Sequence, residues 1–278
     1  MGKVWSAFFV FWAAAAVGLC WVSPHYGWWL PGEAASPLGT EIDDLFHLIL
    51  IITAITFIGT HAVLGYVLWK FRTGQNRRGT FTHGSHNLEV IWTIVPASIM
   101  LFISLYQMDV WQRYRVKSTF DQQAMRAPVA EVTARQFEWR IRYPAPGKVL
   151  KDMPQPDDLY TVNDLHVPEG RPVVIKLRSE DVLHSFFLPH LRVKQDAVPG
   201  LVIPVWFEAL HSGEYDLVCA ELCGWGHYKM RGRLTAEREA DFQAYLKKLS
   251  ETQFDDGVTS QPAEAAEDEN SQAAEDES

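Results

Sequence analysis

The sequence predicts a membrane-anchored α+β protein, in which apolar helices come first and a domain of short strands follows. Three apolar runs, each long enough to cross a membrane, lie before residue 108. From about residue 130 the pattern changes to short alternating runs separated by proline and glycine. Such runs are typical of an antiparallel sandwich or barrel. We therefore expect a helical membrane part and a β-rich domain outside the membrane.

Residues 1–40 contain the first apolar run, Val4–Val22, and a loop rich in proline and glycine. The run of 19 residues is close to the ~20 that span a hydrocarbon core, whereas the apolar core of a signal peptide has about 7 to 15. A retained helix is therefore favoured over a cleaved signal peptide. In the external loop, Trp28 and Trp29 suit the membrane interface, so contact with membrane lipid is expected there.

Residues 41–116 predict a transmembrane helical hairpin, with apolar runs at Leu45–Trp69 and Leu88–Gln107. The loop at residues 70–78 carries four lysines or arginines and no acid, so the positive-inside rule places it in the cytoplasm. Both helices then return to the outer face, where the β-rich domain is expected. His47 and His61 lie within the first of these two runs. An ionisable side chain is expensive there, so each is either functional or hydrogen-bonded to a neighbouring helix.

Residues 117–250 are the predicted β-rich domain. A short amphipathic helix, Ala236–Lys248, is expected near its end. The alternating runs that predict strands are Glu131–Tyr143, Tyr160–Val167, Val173–Arg178, Leu201–Glu208 and Gly213–Val218.

An acidic tail, residues 251–278, holds ten of the 34 acidic residues and no lysine or arginine. Its apolar content is too low to offset the entropy lost on ordering, so it is expected to be disordered. Without those ten acids the formal net charge changes from -9 to +1, so the folded part is nearly neutral. No basic, aromatic-rich segment suggests binding to nucleic acid.

A cluster of metal-binding side chains follows the last predicted strand. Within twelve residues the chain places two thiols, an imidazole and a thioether, at Cys219, Cys223, His227 and Met230. Thiolate and thioether ligands select soft metals, and a weak methionine ligand beside histidine and cysteine favours a copper electron-transfer site.

The second cysteine decides how many copper ions are expected. A mononuclear blue-copper site needs one cysteine, so Cys219 and Cys223 together predict two sulfurs that bridge two copper ions. His184, downstream of the strand predicted at Val173–Arg178, is a candidate for the second imidazole. The residues alone leave two alternatives open: a disulfide between the two cysteines, or a zinc site, which methionine suits poorly.

Over roughly residues 40 to 240 the chain resembles subunit II of the haem-copper cytochrome c oxidases. The resemblance lies in Leu165–Gly170, Asp181–Phe186, Leu191–Gly200 and the Cys219–Met230 segment. It implies a cupredoxin-like Greek-key β-barrel with a binuclear copper centre. The implied copper ligands are the bridging thiolates of Cys219 and Cys223, the terminal imidazoles of His184 and His227, and the weak ligands Met230 and the Glu221 carbonyl.

The same resemblance implies a function in respiration. The chain is expected to lie in a bacterial inner membrane, to take electrons from cytochrome c on the outer (periplasmic or extracellular) face, and to pass them to the haem-bearing subunit I, which reduces oxygen to water. The Glu221 carboxylate is implied to help hold magnesium or manganese at the subunit boundary, a role that suits a hard oxygen ligand. No Cys-x-x-Cys-His occurs, so no covalent c-type haem is expected in this chain.

Glu89, at the cytoplasmic start of the third apolar run, resembles the family's glutamate at the mouth of a proton-uptake channel. The alternative is an interfacial anchor.

The position where electrons enter departs from the family pattern. Gln136-Phe137-Glu138-Trp139 stands where the family has Gln-Trp-x-Trp, so Phe137 replaces the first tryptophan. Residues two apart in a strand face the same side, which would place Trp139 beside Phe137. Either Phe137 suffices as the docking contact, or Trp139 takes over the role, or Trp139 is a core residue.

Two other functions fit the sequence less well than an oxidase subunit does. A membrane-tethered copper electron carrier or copper-delivery protein needs only one anchor, whereas this chain has a long helical hairpin. A quinol oxidase subunit without copper would lack the cysteine ligands, which are present here.

Overall fold

The computed structural model describes residues 2–28, 32–72, 81 and 83–253. The chain divides into two compact units, one of residues 1–34 and 38–116, the other of residues 35–37 and 117–278. Most of the predicted cytoplasmic loop and nearly all of the acidic tail lie outside the described residues, as does Trp29.

The first unit is helical. Three of its helices are long and apolar enough to cross a membrane, over Lys3–Tyr26, Pro37–Lys70 and His86–Tyr106. The helix bounds are α1 Gly2–Val22, α2 Pro37–Lys70, α3 His86–Tyr106 and α4 Met108–Arg115. The three apolar runs of the sequence are therefore helices, and α2 begins eight residues before the predicted start at Leu45.

Helix α1 packs closely on α2 at Gly65. The Ser6 hydroxyl donates a hydrogen bond of 2.6 Å to the Gly65 carbonyl. A Cβ atom on Gly65 would lie 2.7 Å from Val10 Cγ2, so only glycine permits this approach of the two helices. Helix α1 thus has a specific packing partner within the unit.

The two histidines of α2 bind their own helix. His47 Nδ1 lies 2.7 Å from the Asp43 carbonyl, and His61 Nδ1 lies 2.8 Å from the Phe57 carbonyl. Each imidazole therefore bonds to the backbone four residues earlier, and within the described residues no hydrogen bond to a neighbouring helix is found. A functional role for either histidine stays a prediction.

The second unit contains ten strands and two helices among the residues described. They are β1 Ala130–Arg135, β2 Glu138–Tyr143, β3 Leu159–Val162, β4 Asp164–Pro168, β5 Val173–Ser179, β6 His184–Leu188, β7 Val193–Ala197, β8 Ile203–Phe207, β9 Gly213–Cys219 and β10 Arg231–Glu237, with α5 Gln122–Arg126 and α6 Glu239–Gln253.

The strands form two five-stranded sheets, ordered β3-β2-β1-β5-β8 and β4-β10-β9-β6-β7. Most neighbours are antiparallel, but β1 pairs with β5 in parallel and so does β4 with β10. Apart from a bridge between Ser179 and Pro199, no strand pairing joins the two sheets within the described residues. The sheets therefore form a curled half-barrel, and the fully closed barrel that was expected is only partly realised.

Large side chains from both sheets fill the space between them. Trp139 of β2 packs on Phe186 of β6 with ring centroids 5.8 Å apart, and Phe186 lies 6.5 Å from Phe207 of β8. All three are buried. Strand pairing places β6 next to β9, and the ends of these two strands carry metal-binding residues.

Candidate metal centre

The metal-binding residues lie mainly in the ligand loop, residues 219–230, which joins β9 to β10. Cys219 is the last residue of β9, and Met230 directly precedes β10. The Cys219 N–H donates to the Met230 carbonyl at 3.1 Å, so the two ends of the loop are joined. The Ala220 N–H donates to the Ser185 carbonyl at 3.0 Å, which ties the loop to β6.

The inner part of the loop is a chain of short turns. The N–H groups of His227, Lys229 and Met230 donate to the carbonyls three residues earlier, each at 3.1 Å. These bonds hold His227 and Met230 on the same turn. Hydrogen bonds between backbone groups of the loop thus position the ligand side chains.

His184 reaches the loop from the neighbouring strand. It is the first residue of β6, and β6 pairs with β9 through Phe186 opposite Cys219. The His184 ring has no exposed surface. Pairing of the two strands therefore brings an imidazole to the thiols, although His184 begins a strand and does not follow one.

The side chains form two similar groups around the two cysteines. Cys219 Sγ lies 3.9 Å from His184 Nδ1 and 3.2 Å from the Glu221 carbonyl oxygen. Cys223 Sγ lies 3.8 Å from His227 Nδ1 and 3.8 Å from Met230 Sδ.

The two sulfurs are 3.9 Å apart, and both cysteines are free thiols. This separation is far longer than a disulfide bond of about 2.05 Å.

The distances fit ligands of a soft metal. A sulfur bonded at about 2.3 Å and a nitrogen at about 2.0 Å to one ion can lie at most about 4.3 Å apart. Both sulfur–nitrogen separations are shorter than this limit. The ligand atoms of His184, Cys219 and Cys223 all lie within 4.8 Å of one another. The cluster can therefore bind metal with little movement.

Asp181 orients one of the imidazoles. Its Oδ1 lies 2.8 Å from His184 Nε2 and accepts that N–H. The other ring nitrogen, Nδ1, faces Cys219 and is the nitrogen placed to bind a metal. Such a carboxylate partner fixes the tautomer that a metal ligand needs.

The two thiols have opposite pKa shifts. Burial opposes ionisation of Cys219, but hydrogen bonds from His184 and from backbone N–H groups outweigh it and lower the pKa to about 6. Burial, together with the charge of the Cys219 thiolate, raises the pKa of Cys223 to about 11. Thiolates and not thiols bind metal, so a metal ion displaces the proton that the raised pKa favours on Cys223.

Comparison with known proteins identifies the family. The chain matches the family described as cytochrome C oxidase subunit II, transmembrane domain, over residues 25–110, and cytochrome C oxidase subunit II, periplasmic domain, over residues 142–235. It is 32% identical over 243 residues to the alternative cytochrome c oxidase subunit 2 of Bradyrhizobium diazoefficiens, covering 80% of this chain and 83% of that protein. The chain belongs to the cytochrome c oxidase subunit II family.

Two further proteins are similar. Cytochrome c oxidase subunit 2 of Thermostichus vulcanus is 30% identical over 277 residues, covering 82% of this chain and 80% of that one. The solved periplasmic domain of subunit II of cytochrome oxidase from Bradyrhizobium japonicum is 23% identical, with a TM-score of 0.39, over 44% of this chain and 93% of that chain.

Membership of the subunit II family establishes the general character of the molecule. It is a membrane protein with an outward-facing cupredoxin-like domain and is part of a haem-copper terminal oxidase. The family implies a copper centre, and the His184, Cys219 and Cys223 cluster is compatible with it.

The two residues predicted for electron entry in this subunit II chain lie in different surroundings from each other. Phe137 is in the turn between β1 and β2, because β2 begins only at Glu138. The expectation that Phe137 and Trp139 share a strand face is therefore wrong. Trp139 has no exposed surface and its ring centroid lies 6.4 Å from that of His184, so it belongs to the core and a donor protein cannot touch it.

Glu221 and Glu89 are both exposed. Glu89 lies in the first turn of α3.

One aromatic residue at this site, Trp225, was not predicted from the sequence. Phe137 meets the ring of Trp225, with centroids 5.3 Å apart. The signal was present in the sequence, because Trp225 stands between Cys223 and His227 and has a glycine on each side.

Proposed function

We propose that this chain is the electron-accepting subunit of a cytochrome c oxidase and that its copper centre is binuclear. The observation that carries the proposal is the pairing of ligands. Each cysteine sulfur has its own imidazole nitrogen within 3.9 Å and its own weak ligand within 3.8 Å, and the two sulfurs lie side by side. A site for a single ion would not need two such sets.

When copper is bound, it supplies one-electron redox chemistry. The protein residues hold the ligands in place: the loop backbone fixes Cys219 and Met230, and Asp181 fixes the His184 ring. Burial of the cysteines and of Met230 keeps water away from the ligand sulfurs. A rigid, dry ligand set changes little in geometry when an electron arrives, which lowers the cost of electron transfer.

The donor we propose is cytochrome c, and the acceptor is a haem-bearing subunit I. The donor is named in the descriptions of the similar proteins, and the outward-facing domain suits a soluble donor. Helices α2 and α3 expose apolar side chains along their length, which suit lipid or a helical partner subunit.

The copper content of the purified chain tests the binuclear site. The full chain in mild detergent should bind two copper ions and turn purple. Cys219→Ser and Cys223→Ser should each lose the purple colour. The matched control Cys20→Ser, at an exposed cysteine in the first helix, should keep it. A single copper ion with an intense blue colour would contradict the proposal.

Isolation from membranes tests the place of the chain in an oxidase. Co-purification with a large haem-bearing subunit, with cytochrome c oxidation by the complex, is the expected result. A haem-free monomer that still exchanges electrons would favour the alternative of a tethered copper carrier or copper-delivery protein.

We also propose a magnesium or manganese ion at the Glu221 carboxylate. The Glu221 carbonyl faces Cys219, so its exposed carboxylate remains available for a hard cation at the subunit boundary. Glu221→Gln should lower magnesium or manganese content in the complex and leave the copper spectrum largely unchanged. Loss of copper with unchanged magnesium would reverse this assignment.

Glu89 is proposed as the mouth of a proton-uptake path. It is exposed in the first turn of α3, on the side where the positive-inside rule places the cytoplasm. Glu89→Gln should slow proton uptake during turnover and leave reduction of the copper centre unchanged. Unchanged proton uptake in Glu89→Gln would favour the alternative that Glu89 is an interfacial anchor.

A further inference from the structure

Trp225 is an exposed aromatic residue of the ligand loop, and its ring packs against neighbouring side chains. It lies between Cys223 and His227 in the chain, and 75% of its surface is exposed. By contrast, Cys223 and Met230 are buried, as is His184. A protein that approaches the ligand loop therefore meets the indole before it meets most of the ligands.

The indole is held from two sides. Its ring meets Phe137 edge to face at 69°, and Lys229 Nζ lies 4.5 Å from the ring centroid. A cation over an indole face is an attractive contact. Two neighbours therefore restrain the Trp225 ring although most of its surface is open to solvent.

The turn between β1 and β2 contacts the ligand loop directly at this point. The Gln136 side-chain amide donates to the Cys223 carbonyl. A Cβ atom on Gly226 would lie 2.5 Å from Phe137 Cδ2, so glycine is required for the loop to cross the Phe137 ring. Phe137 thus packs against the segment of the ligand loop that carries Trp225.

We propose that Trp225 is the residue through which electrons enter the copper centre, with Phe137 as its positioning residue. This inference rests on the proposed function, because it needs a copper centre and a protein donor. The occupant of the surface is the donor, a c-type cytochrome. One electron leaves the reduced donor haem and reduces the centre, with no bond made or broken and no proton transferred.

An exposed, oriented tryptophan suits this role in two ways. It buries a large apolar area against a partner at low entropy cost, which is why tryptophan is enriched at interface hot spots. Its conjugated ring also lies in the chain segment that contains Cys223 and His227, which shortens the gap between the donor and the ligands.

Tyr228 is the competing residue. It is 77% exposed and directly follows His227 in the loop. Among the described residues no aromatic or cationic partner is found for its ring, so nothing comparable fixes its orientation. It therefore provides a control matched in exposure, loop and aromatic character.

The test compares Trp225→Ala, Trp225→Phe and Tyr228→Ala in the complete, copper-loaded oxidase. Stopped-flow kinetics give the rate constant for reduction by reduced cytochrome c at low and high salt. A second readout is the affinity for oxidised cytochrome c without turnover. The copper EPR spectrum and the rate with a small-molecule reductant report on the centre itself.

Trp225→Ala should lower the rate constant and the affinity by at least about tenfold, as truncation of a central interface aromatic does. The loss should persist at high salt, because salt screens charges and not apolar contacts. Trp225→Phe should lose less. Tyr228→Ala should stay close to wild type, and the EPR spectrum and the small-reductant rate should not change in any variant.

Three results would overturn the inference. They are a wild-type rate and affinity in Trp225→Ala, a larger loss in Tyr228→Ala, and an altered copper spectrum with slower reduction by the small reductant in Trp225→Ala. Failure of the proposed function looks different: the wild-type complex itself then lacks binuclear copper or is not reduced by cytochrome c, and the inference falls with it.

Discussion

Among single residues, Asp181 orients one of the proposed copper ligands without being a ligand itself. Its carboxylate accepts three N–H groups, from the His184 ring at 2.8 Å and from the backbones of Gln136 at 2.8 Å and Val182 at 2.6 Å. These bonds lower the pKa of Asp181 despite the cost of burial, so the carboxylate stays ionised. Asp181 thereby connects the β1–β2 turn to an imidazole of the metal centre.

Replacing Asp181 should weaken copper binding while the fold survives. Asp181→Asn keeps the size of the side chain but loses its charge, and loss of such an outer partner costs about 10- to 100-fold in metal affinity. Competition with a copper chelator measures the change. Glu180→Gln, at the adjacent exposed carboxylate, is the matched control and should bind like wild type. Equal affinities in both variants would show that Asp181 does not position His184.

His166 gives the β-rich domain a pH-dependent stability. Burial favours its neutral ring, but hydrogen bonds to Asp164 and Glu237 outweigh this and raise the pKa of the imidazole. The ring also stacks on Tyr245 of α6, with centroids 3.6 Å apart, and Arg233 binds the Asp164 carboxylate from β10.

The sign of this effect follows from the raised pKa. The stabilisation is complete below the unfolded pKa of about 6.5 and is lost as pH rises through the higher folded pKa. His166→Gln should therefore flatten the fall in thermal stability that begins as pH rises above about 6.5, measured by circular dichroism in detergent. His211→Gln, at an exposed histidine, should retain the wild-type slope. Identical slopes for wild type and His166→Gln would contradict the assignment.

Between helices, the contact at Gly65 is the feature that depends most on one residue. Val10 and Ser6 of α1 occupy the space that a side chain at Gly65 would need. Small residues at such positions allow membrane helices to approach closely, where packing and hydrogen bonds drive association.

Gly65→Ala should separate α1 from α2. Forcing a methyl group into a packed contact costs about 1–3 kcal/mol. Gly59→Ala is an unusually close control, because it lies on the same helix and its added Cβ would meet nothing within 4 Å. Thermal unfolding in detergent should show a loss for Gly65→Ala alone. Equal effects of both substitutions would mean that α1 does not pack here.

Strands were harder to predict than helices, for identifiable reasons. The runs Glu131–Tyr143 and Tyr160–Val167 are each two strands, interrupted by the turn at residues 136–137 and by Asn163 with φ of 59°. Strands β6, β7 and β10 were missed because they do not alternate cleanly: β6 ends in three consecutive apolar residues, whereas polar residues interrupt Val193–Ala197 of β7. Pairing with neighbours that are distant in the chain decides these elements, and periodicity does not report it.

The metal-binding cluster was more predictable than the sheets, because four of its side chains lie within one short loop. His184 was also found from the sequence, but its place beside Cys219 comes from the pairing of β6 with β9. Trp225 was missed because its importance depends on exposure and on contact with Phe137, which lies far away in the chain.

For the whole molecule, the family assignment places the β-rich domain on the outer side of the membrane. Lys3 at the start of α1 should then face the cytoplasm, and Lys151 of the β-rich domain should face outward. Both are exposed.

Labelling of lysines tests this topology. A membrane-impermeant amine reagent added to intact spheroplasts should modify Lys151 and leave Lys3 unmodified, as measured by peptide mass spectrometry. Lys3 should be modified only after the membrane is permeabilised. Modification of Lys3 but not of Lys151 in intact spheroplasts would reverse the orientation.

The backbone hydrogen bonds of the ligand loop also separate the shape of the loop from the identity of its ligands. They join Cys219 to Met230, Ala220 to Ser185, and His227 to Gly224 through backbone atoms, and no ligand side chain takes part in them. A substitution at a ligand side chain therefore leaves each of these bonds possible. Metal binding can thus be lost through a single ligand change while the domain stays folded, so the structure of this domain and its chemistry can evolve separately.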